Sequence, residues 1–326
     1  MSDASFTVIV PTRHRPEYVD VAVRSILTSS AELRRVHGVP TRVVVVDDAP
    51  DNDDTKDVAA HLGVDYLRVE EHDGRKDPGA AIVMGVQSVD TKYQTIFGDD
   101  DIMLVRHLRV AYELLRDGAE VVSSSFMVTD EDLVPVRTVQ LLPTDVGDLV
   151  AGHTTVNDGS FVAHDDVKDL DWDVALEGQM LVPIWGELMA KGKKFEIATE
   201  PTWLYRRHTE NISHAALSER DLVLRERART RLREIVLREL GEIPPSRQAE
   251  VRALQEEYTR RISRPHIKLI RRVRNKAARV LAPKPFRADV AYRSVTESAE
   301  RESAERESAE RDSAESESTP RKPAST

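Results

Sequence analysis

Cysteine is absent from all 326 residues. Its absence excludes disulfides, thiolate metal sites and cysteine nucleophiles, and it fits a reducing compartment. Long apolar runs are missing too. No window approaches the roughly 18 to 20 apolar residues that a bilayer-spanning helix needs. The first residues, MSDASFTVIVPTRHRPE, hold neither a basic n-region nor an extended apolar stretch, and are read as carrying no secretory signal. The expectation is a cytoplasmic protein, at most peripheral on the inner face of the plasma membrane.

What is present suffices for a core. Hydrophobic residues make up 40% of the chain, and its length allows one large domain or two ordinary ones. The net charge of −10 is strongly segregated. Residues 1–259 carry 30 Lys+Arg against 47 Asp+Glu, residues 260–287 carry 11 basic and no acidic residues, and residues 288–326 carry 6 against 10.

The first half alternates strand-like and helix-like segments. FTVIVP (6–11), TRVVVVDD (41–48), VDYLRVEE (64–71), YQTIFG (93–98) and AEVVSSSFMV (119–128) read as strands. The second is apolar throughout, as expected of a strand buried on both faces. Between them, PEYVDVAVRSILTSSAEL, DTKDVAAHLG, AAIVMGVQSV and VRHLRVAYELLRDG read as helices. The alternation predicts a mostly parallel sheet with helices on both faces. From about 134 to 170 the pattern is irregular. DVALEGQMLVPIWGELMAKG (173–192) reads as a helix ended by Gly192, with Pro183 as its kink or true start. KKFEIA reads as a strand, with a polar, aromatic segment behind it.

In such sheets ligands bind beyond the carboxyl ends of the strands. That rule puts Thr12–Arg15, Asp47–Asp48 and Asp99–Asp101 on one rim. Three consecutive acids repel one another, and a hard divalent cation such as Mg²⁺ or Mn²⁺ would offset that repulsion while bridging phosphate oxygens. The plainer reading is that the triplet solvates a turn and caps the next helix.

TVIVPTRHRPEYVDVAVRSIL, VVVVDDAPDND, IFGDDDIM and YRRHTENIS occur in the order and approximate spacing of family 2 glycosyltransferases, and the chain resembles that family over roughly residues 5–215. The resemblance implies a GT-A fold and an inverting transferase that uses a nucleotide-diphosphate sugar and Mg²⁺ or Mn²⁺. It assigns the nucleotide-sugar to Pro11, Thr12, Arg13, Arg15 and Asp47 or Asp48, with contributions from Asp99 and Asp100. The triplet looks like the family's DXD-type motif, with Asp99 and Asp101 as the metal pair, Asp100 as the alternative member, and His208, from the late YRRH motif, beside it. Arg206 of that motif is assigned to the diphosphate. Two departures stand out. Gly98 occupies a position that is acidic in many relatives. Ile82-Val83 falls where relatives often have Arg-Asn, so Lys76, with Arg75, is the substitute positive charge.

Inversion requires a carboxylate to take the acceptor hydroxyl's proton. The family's Glu-Asp pair is missing here, which leaves Glu177 and Asp173 as candidates. Both also suit the first turn of a helix simply as dipole-favoured acids. Trp172, Trp185 and Trp203 are candidates either for stacking on an acceptor sugar or for the core.

The expected organisation is a GT-A domain over 1–215, with a nucleotide half to about 130 and an acceptor half from 131 to 215. A helical extension over 216–287 and a low-complexity, disordered tail over 288–326 follow it. Within the extension, 260–287 places Leu269, Ile270, Val273 and Val280 on one face of a helical wheel and Lys268, Arg272, Lys276 and Arg279 largely opposite. That pattern suits an anionic membrane surface, or packing against an acidic body. It has little aromatic content for stacking bases, and no nucleic-acid partner is expected. The acceptor is read as a glycan or lipid-linked molecule. The tail repeats ESAER three times over 297–311 and cannot form a core. The alternatives are a nucleotidyltransferase, which would normally have glycine in the loop that here reads PTRHRP, a receiver domain, and a catalytically inactive membrane-associated scaffold.

Overall fold

Two neighbouring strands set the geometry of the rim. β1 (Phe6–Thr12) and β2 (Thr41–Asp47) run parallel, and their last residues, Thr12 and Asp47, are paired. The computed structural model describes residues 5–49, 52–70, 78–141, 159–170, 172, 181–209, 211, 230 and 234. Within these, the sheet order is β3-β2-β1-β4-β8-β6-β9-β5, with β7 on β6. The remaining strands are β3 (Asp65–Arg68), β4 (Tyr93–Ile96), β5 (Ile102–Met103), β6 (Val121–Thr129), β7 (Pro135–Val139), β8 (Phe161–Ala163) and β9 (Phe195–Arg206).

The half that sequence periodicity reads best, β3-β2-β1-β4, is wholly parallel. Beyond β4 the sheet is mixed: β8 is antiparallel to β4 and to β6, β6 is parallel to β9, and β5 and β7 run antiparallel to their neighbours. The fold is therefore an α/β sheet of the expected class, with a mixed second half.

Helices cover both faces. Phe6, Val8 and Val10 of β1 pack in one core with α1 (Pro16–His37), α2 (Asp54–Leu62) and α4 (His107–Arg116). Ile9 points the other way, into a core with α3 (Gly79–Gln87), the short α5 (His164–Val167) and α6 (Val182–Ala190). Each fully buried Val or Ile contributes roughly 1.5–3 kcal/mol. Two-sided burial explains why the centres of β1 (Val8–Val10) and β2 (Val43–Val46) are apolar without alternation.

α1 starts with Pro16, whose fixed φ suits a first helical turn, and ends at Gly38 at φ 69. Gly85 in α3 lets that helix approach β1 closely; a Cβ there would lie 2.3 Å from Ile9 Cγ2. Pro183 lies in the first turn of α6, so it marks the start of that helix rather than a kink within it.

One expectation needs correction. The polar, aromatic stretch behind KKFEIA is not a separate segment. β9 runs through it as a single strand to Arg206. Its pairing with β6 breaks between Ser124 and Phe126, where Ala198 gives way to Trp203 as the partner residue. The Glu200-Pro201 irregularity takes up the slack, as expected of a proline that cannot donate to a ladder. All three tryptophans are buried: Trp172 donates from Nε1 to the carbonyl of Val167, and Trp203 stacks on Phe126. They are core, not an acceptor platform.

Candidate active site

The ends of β1, β4 and β9 meet at the acidic triplet. Thr12 Oγ1 donates to Asp99 Oδ2 at 2.7 Å. The chain then turns through His14, which sits at φ 54, a left-handed conformation that costs a residue with a Cβ about 1 kcal/mol. On either side of this turn, the two arginines reach different acids. Arg13 faces Asp48 at 3.9 Å, and Arg15 Nη1 bridges Asp99 Oδ1 at 3.3 Å and Asp100 Oδ2 at 3.4 Å.

From the far side, Asp101 Oδ1 accepts the backbone N–H of Arg206 at 3.0 Å. Asp100 Oδ2 lies 2.8 Å from His208 Nε2 and accepts from Asn211 Nδ2 at 3.1 Å. Tyr18 of α1 closes the cluster. Its ring stacks on His208 with centroids 4.9 Å apart, and the Arg206 guanidinium lies over it at 5.1 Å. Arg206 Nε is buried without a hydrogen-bond partner.

Burial is the main influence on Asp99, whose carboxyl is pushed up to about 6; the charge of Asp100 adds to the rise, while Arg15 and Thr12 pull it back. Asp47, at the end of β2, is also raised by burial. It is fully buried and turned inward, where Oδ1 accepts from Ala49 N–H and Oδ2 from the Tyr66 hydroxyl. Arg68 in turn donates to the Tyr66 hydroxyl, the Asn52 carbonyl and Asp53. Asp47 therefore anchors the loop behind β2, whereas Asp48 faces Arg13.

No group of three His, Asp or Glu side chains among the described residues forms a ready metal cage. The fit to a hard divalent ion rests on Gly98. A Cβ at Gly98 would lie 3.1 Å from both Asp100 Oδ1 and Asp101 Oδ2. Two carboxylate oxygens thus border one notch over Gly98. Mg²⁺ and Mn²⁺ commonly use one or two carboxylates and take their other ligands from water and substrate phosphate, so the donor set fits. The notch brings together Asp100 and Asp101, whereas Asp99 is directed to Thr12 and Arg15. Pro11 is buried within β1, next to Thr12.

Lys76, Glu177 and Asp173 lie outside the described residues, as do 260–287 and the tail. Tyr18, Tyr66 and Asn211 are the site residues that the sequence reading missed. Asn211 stands inside the quoted YRRHTENIS motif and was open to notice there. Tyr18 and Tyr66 sit in ordinary amphipathic or strand-like runs with no local signal.

Residues 7–169 match the sequence model of glycosyl transferase family 2, and the chain belongs to that family. It is a glycosyltransferase. The match ends before Asp173, Glu177 and the late motif. Among solved structures, S. aureus TarS 1–349 in complex with UDP-GlcNAc is similar at a TM-score of 0.53 and 16% identity, over 73% of this chain and 72% of that one. Glucosyl-3-phosphoglycerate synthase from Mycobacterium tuberculosis, in complex with Mn²⁺, UDP and phosphoglyceric acid, gives 0.46 and 12% identity, over 74% and 80%. The likeness to TarS is one of fold. No curated protein matches the chain.

Proposed function

We propose that the protein is a metal-dependent inverting glycosyltransferase. It moves a sugar from a nucleotide-diphosphate donor to a hydroxyl of a glycan, lipid-linked or other small acceptor, in the synthesis of envelope polysaccharide or a glycoconjugate. One observation carries this reading: Asp100 Oδ1 and Asp101 Oδ2 converge on the notch over Gly98, beside Arg15 and Arg206. Family membership supports the activity, and the UDP-GlcNAc held by TarS on the same fold supports the donor class.

In the reaction, the acceptor oxygen forms a bond to the anomeric carbon as the bond from that carbon to the diphosphate oxygen breaks. The electron pair leaves with the diphosphate. A bound divalent ion supplies Lewis-acid stabilisation of that departing charge. Asp100 and Asp101 would hold the ion, while Arg206, with its unpartnered Nε, and Arg15 would hold phosphate oxygens. Thr12, Arg13 and Asp48 border the nucleotide, and Lys76, which precedes α3 in sequence, adds positive charge. Glu177 or Asp173 receives the acceptor's proton. His208 sets the orientation of Asp100.

The proposed domain arrangement is a catalytic part over 1–215, a helical extension to 287 and a non-catalytic tail. The basic, amphipathic stretch 260–287 would dock on an anionic membrane surface and bring the site to a lipid-linked acceptor. Among the described residues no helix is long and apolar enough to cross a membrane.

The test is a thermal-shift screen of nucleotide-diphosphate sugars with and without Mn²⁺. Stabilisation follows ligand concentration relative to Kd, so a selective response names the donor. The Asp101→Ala variant loses the metal-dependent part. If that variant keeps the whole response, the metal assignment is wrong. Donor hydrolysis or transfer with Mn²⁺ then separates an enzyme from an inactive scaffold.

A further inference from the structure

The two acids that border the notch are both held from the end of β9 and the turn after it. Asp101 Oδ1 accepts the Arg206 backbone N–H at 3.0 Å. The carbonyl of the same Arg206 accepts from Asn211 Nδ2 at 3.1 Å, and that nitrogen also donates to Asp100 Oδ2 at 3.1 Å. On the other side of the amide, Asn211 Oδ1 accepts the His208 backbone N–H at 2.6 Å. Since Oδ1 is the acceptor, Nδ2 is fixed as the donor end, and its hydrogens go to Asp100 and to Arg206. Asn211 is buried, and its own backbone N–H turns back to the His208 carbonyl at 3.4 Å. A buried amide that ties its acceptor and its donors to three separate residues is a brace. Asn211 and His208 Nε2 meet the same oxygen of Asp100, Oδ2, and the other oxygen, Oδ1, is the one that borders the notch over Gly98.

We propose that Asn211 is a positioning residue for the divalent-ion site and sets its preference for a small ion. It fixes Asp100, through Oδ2, relative to Arg206, whose N–H fixes Asp101. Asp100 Oδ1 and Asp101 Oδ2 are thereby kept at one spacing over Gly98. Carboxylates that ligate an ion are commonly hydrogen-bonded in turn, and loss of such a partner weakens metal binding by about 10–100-fold. Spacing matters most for a small ion. Mg²⁺ demands near-ideal octahedral geometry at about 2.0–2.1 Å, whereas Ca²⁺ accepts flexible geometry at about 2.3–2.6 Å. A braced pair of carboxylates favours Mg²⁺, and a pair released from the brace loses more for Mg²⁺ than for Ca²⁺. This inference rests on the reading that the triplet holds a divalent ion, and it goes further by naming a residue outside the triplet that sets which ion is preferred.

The test is isothermal titration of the full chain with Mg²⁺ and, separately, with Ca²⁺. Wild type is compared with Asn211→Ala, Asn211→Ser and Asp101→Asn, and circular dichroism confirms that each variant is folded. Asn211→Ala should bind Mg²⁺ about tenfold or more weakly than wild type. Its affinity for Ca²⁺ should fall by only about twofold, so the preference for Mg²⁺ narrows. Asn211→Ser should behave like the alanine variant, because its shorter side chain cannot span from the turn to Asp100, and it carries the test if alanine prevents folding. An unchanged Mg²⁺ affinity in a folded variant overturns the inference and leaves the metal reading standing. An equal loss for both ions also overturns it, because the residue would then support the site without setting its spacing. Failure of both variants to fold makes Asn211 part of the scaffold alone, and overturns it as well. If wild type binds neither ion, or Asp101→Asn binds them undiminished, the metal reading fails first and the inference fails with it.

Discussion

Thr12 Oγ1 donates to Asp99 Oδ2 at 2.7 Å, joining two strand ends that lie 87 residues apart in sequence. Asp99 is buried, so this hydroxyl is one of the few donors that stabilise its charged form. Thr12→Val keeps the shape and removes the donor. It should cost about 1–3 kcal/mol, the usual cost of leaving a buried charged acceptor short of a partner. Thr12→Ser should stay close to wild type. Chemical denaturation of the three proteins measures the difference, and a valine variant as stable as the serine variant would show that the hydrogen bond contributes little.

Tyr66 makes a second anchor. Its hydroxyl donates to Asp47 Oδ2 at 2.9 Å and accepts from Arg68 Nε at 2.8 Å. Burial, opposed in part by Arg68, pushes the phenol up to about 12, so it remains a donor at any ordinary pH. Tyr66→Phe should destabilise by about 1–2 kcal/mol. Combined with Arg68→Gln, the double variant should lose less than the sum of the single losses, because both belong to one network. A strictly additive cycle would separate the two residues.

His107 gives a pH signature away from the acidic site. It is buried between Phe97 and Phe161, Nδ1 is 2.7 Å from Thr202 Oγ1, and burial lowers it to about 3. In the unfolded chain it titrates near 6.5. Between about 3 and 6.5 the unfolded state binds more protons at this residue, so its contribution to stability is full above 6.5 and declines as pH falls, by at most about 1.4 kcal/mol per pH unit. Urea unfolding at pH 7 and pH 5 should show a smaller acid loss for His107→Gln than for wild type. Equal losses would assign the acid sensitivity to other groups.

Gly85→Ala tests the packing of α3 on β1. The added Cβ would lie 2.3 Å from Ile9 Cγ2 in the middle of a buried strand. Alanine gains about 1 kcal/mol in helix propensity, but overpacking costs about 1–3 kcal/mol and should prevail. The expected result is a melting temperature a few degrees lower, and an unchanged or higher value would mean that the helix can shift freely.

Much of the rim was legible because strand ends in an alternating α/β chain share one edge. That rule groups Thr12–Arg15, Asp47–Asp48 and Asp99–Asp101 from the sequence alone. It could not say which of Asp47 and Asp48 turns inward. β2 is apolar on both faces, so no alternation marks the side on which the Tyr66 hydroxyl waits. β9 was read in two pieces for a related reason: Glu200-Pro201 looks like a chain break locally, and only pairing with β6 on both sides of the irregularity makes it one strand.

The sequence by itself determined the strand-helix alternation, the family membership and the cluster of acids after β4, because periodic burial and short motifs are local properties. The tertiary structure decided that Asp100 and Asp101 border one notch over Gly98, that Arg15 bridges Asp99 and Asp100, and that Tyr18 and Asn211 complete the cluster. Those are contacts between side chains far apart in sequence, and their partners are fixed by the path of the backbone and the direction of each side chain, which no local pattern encodes.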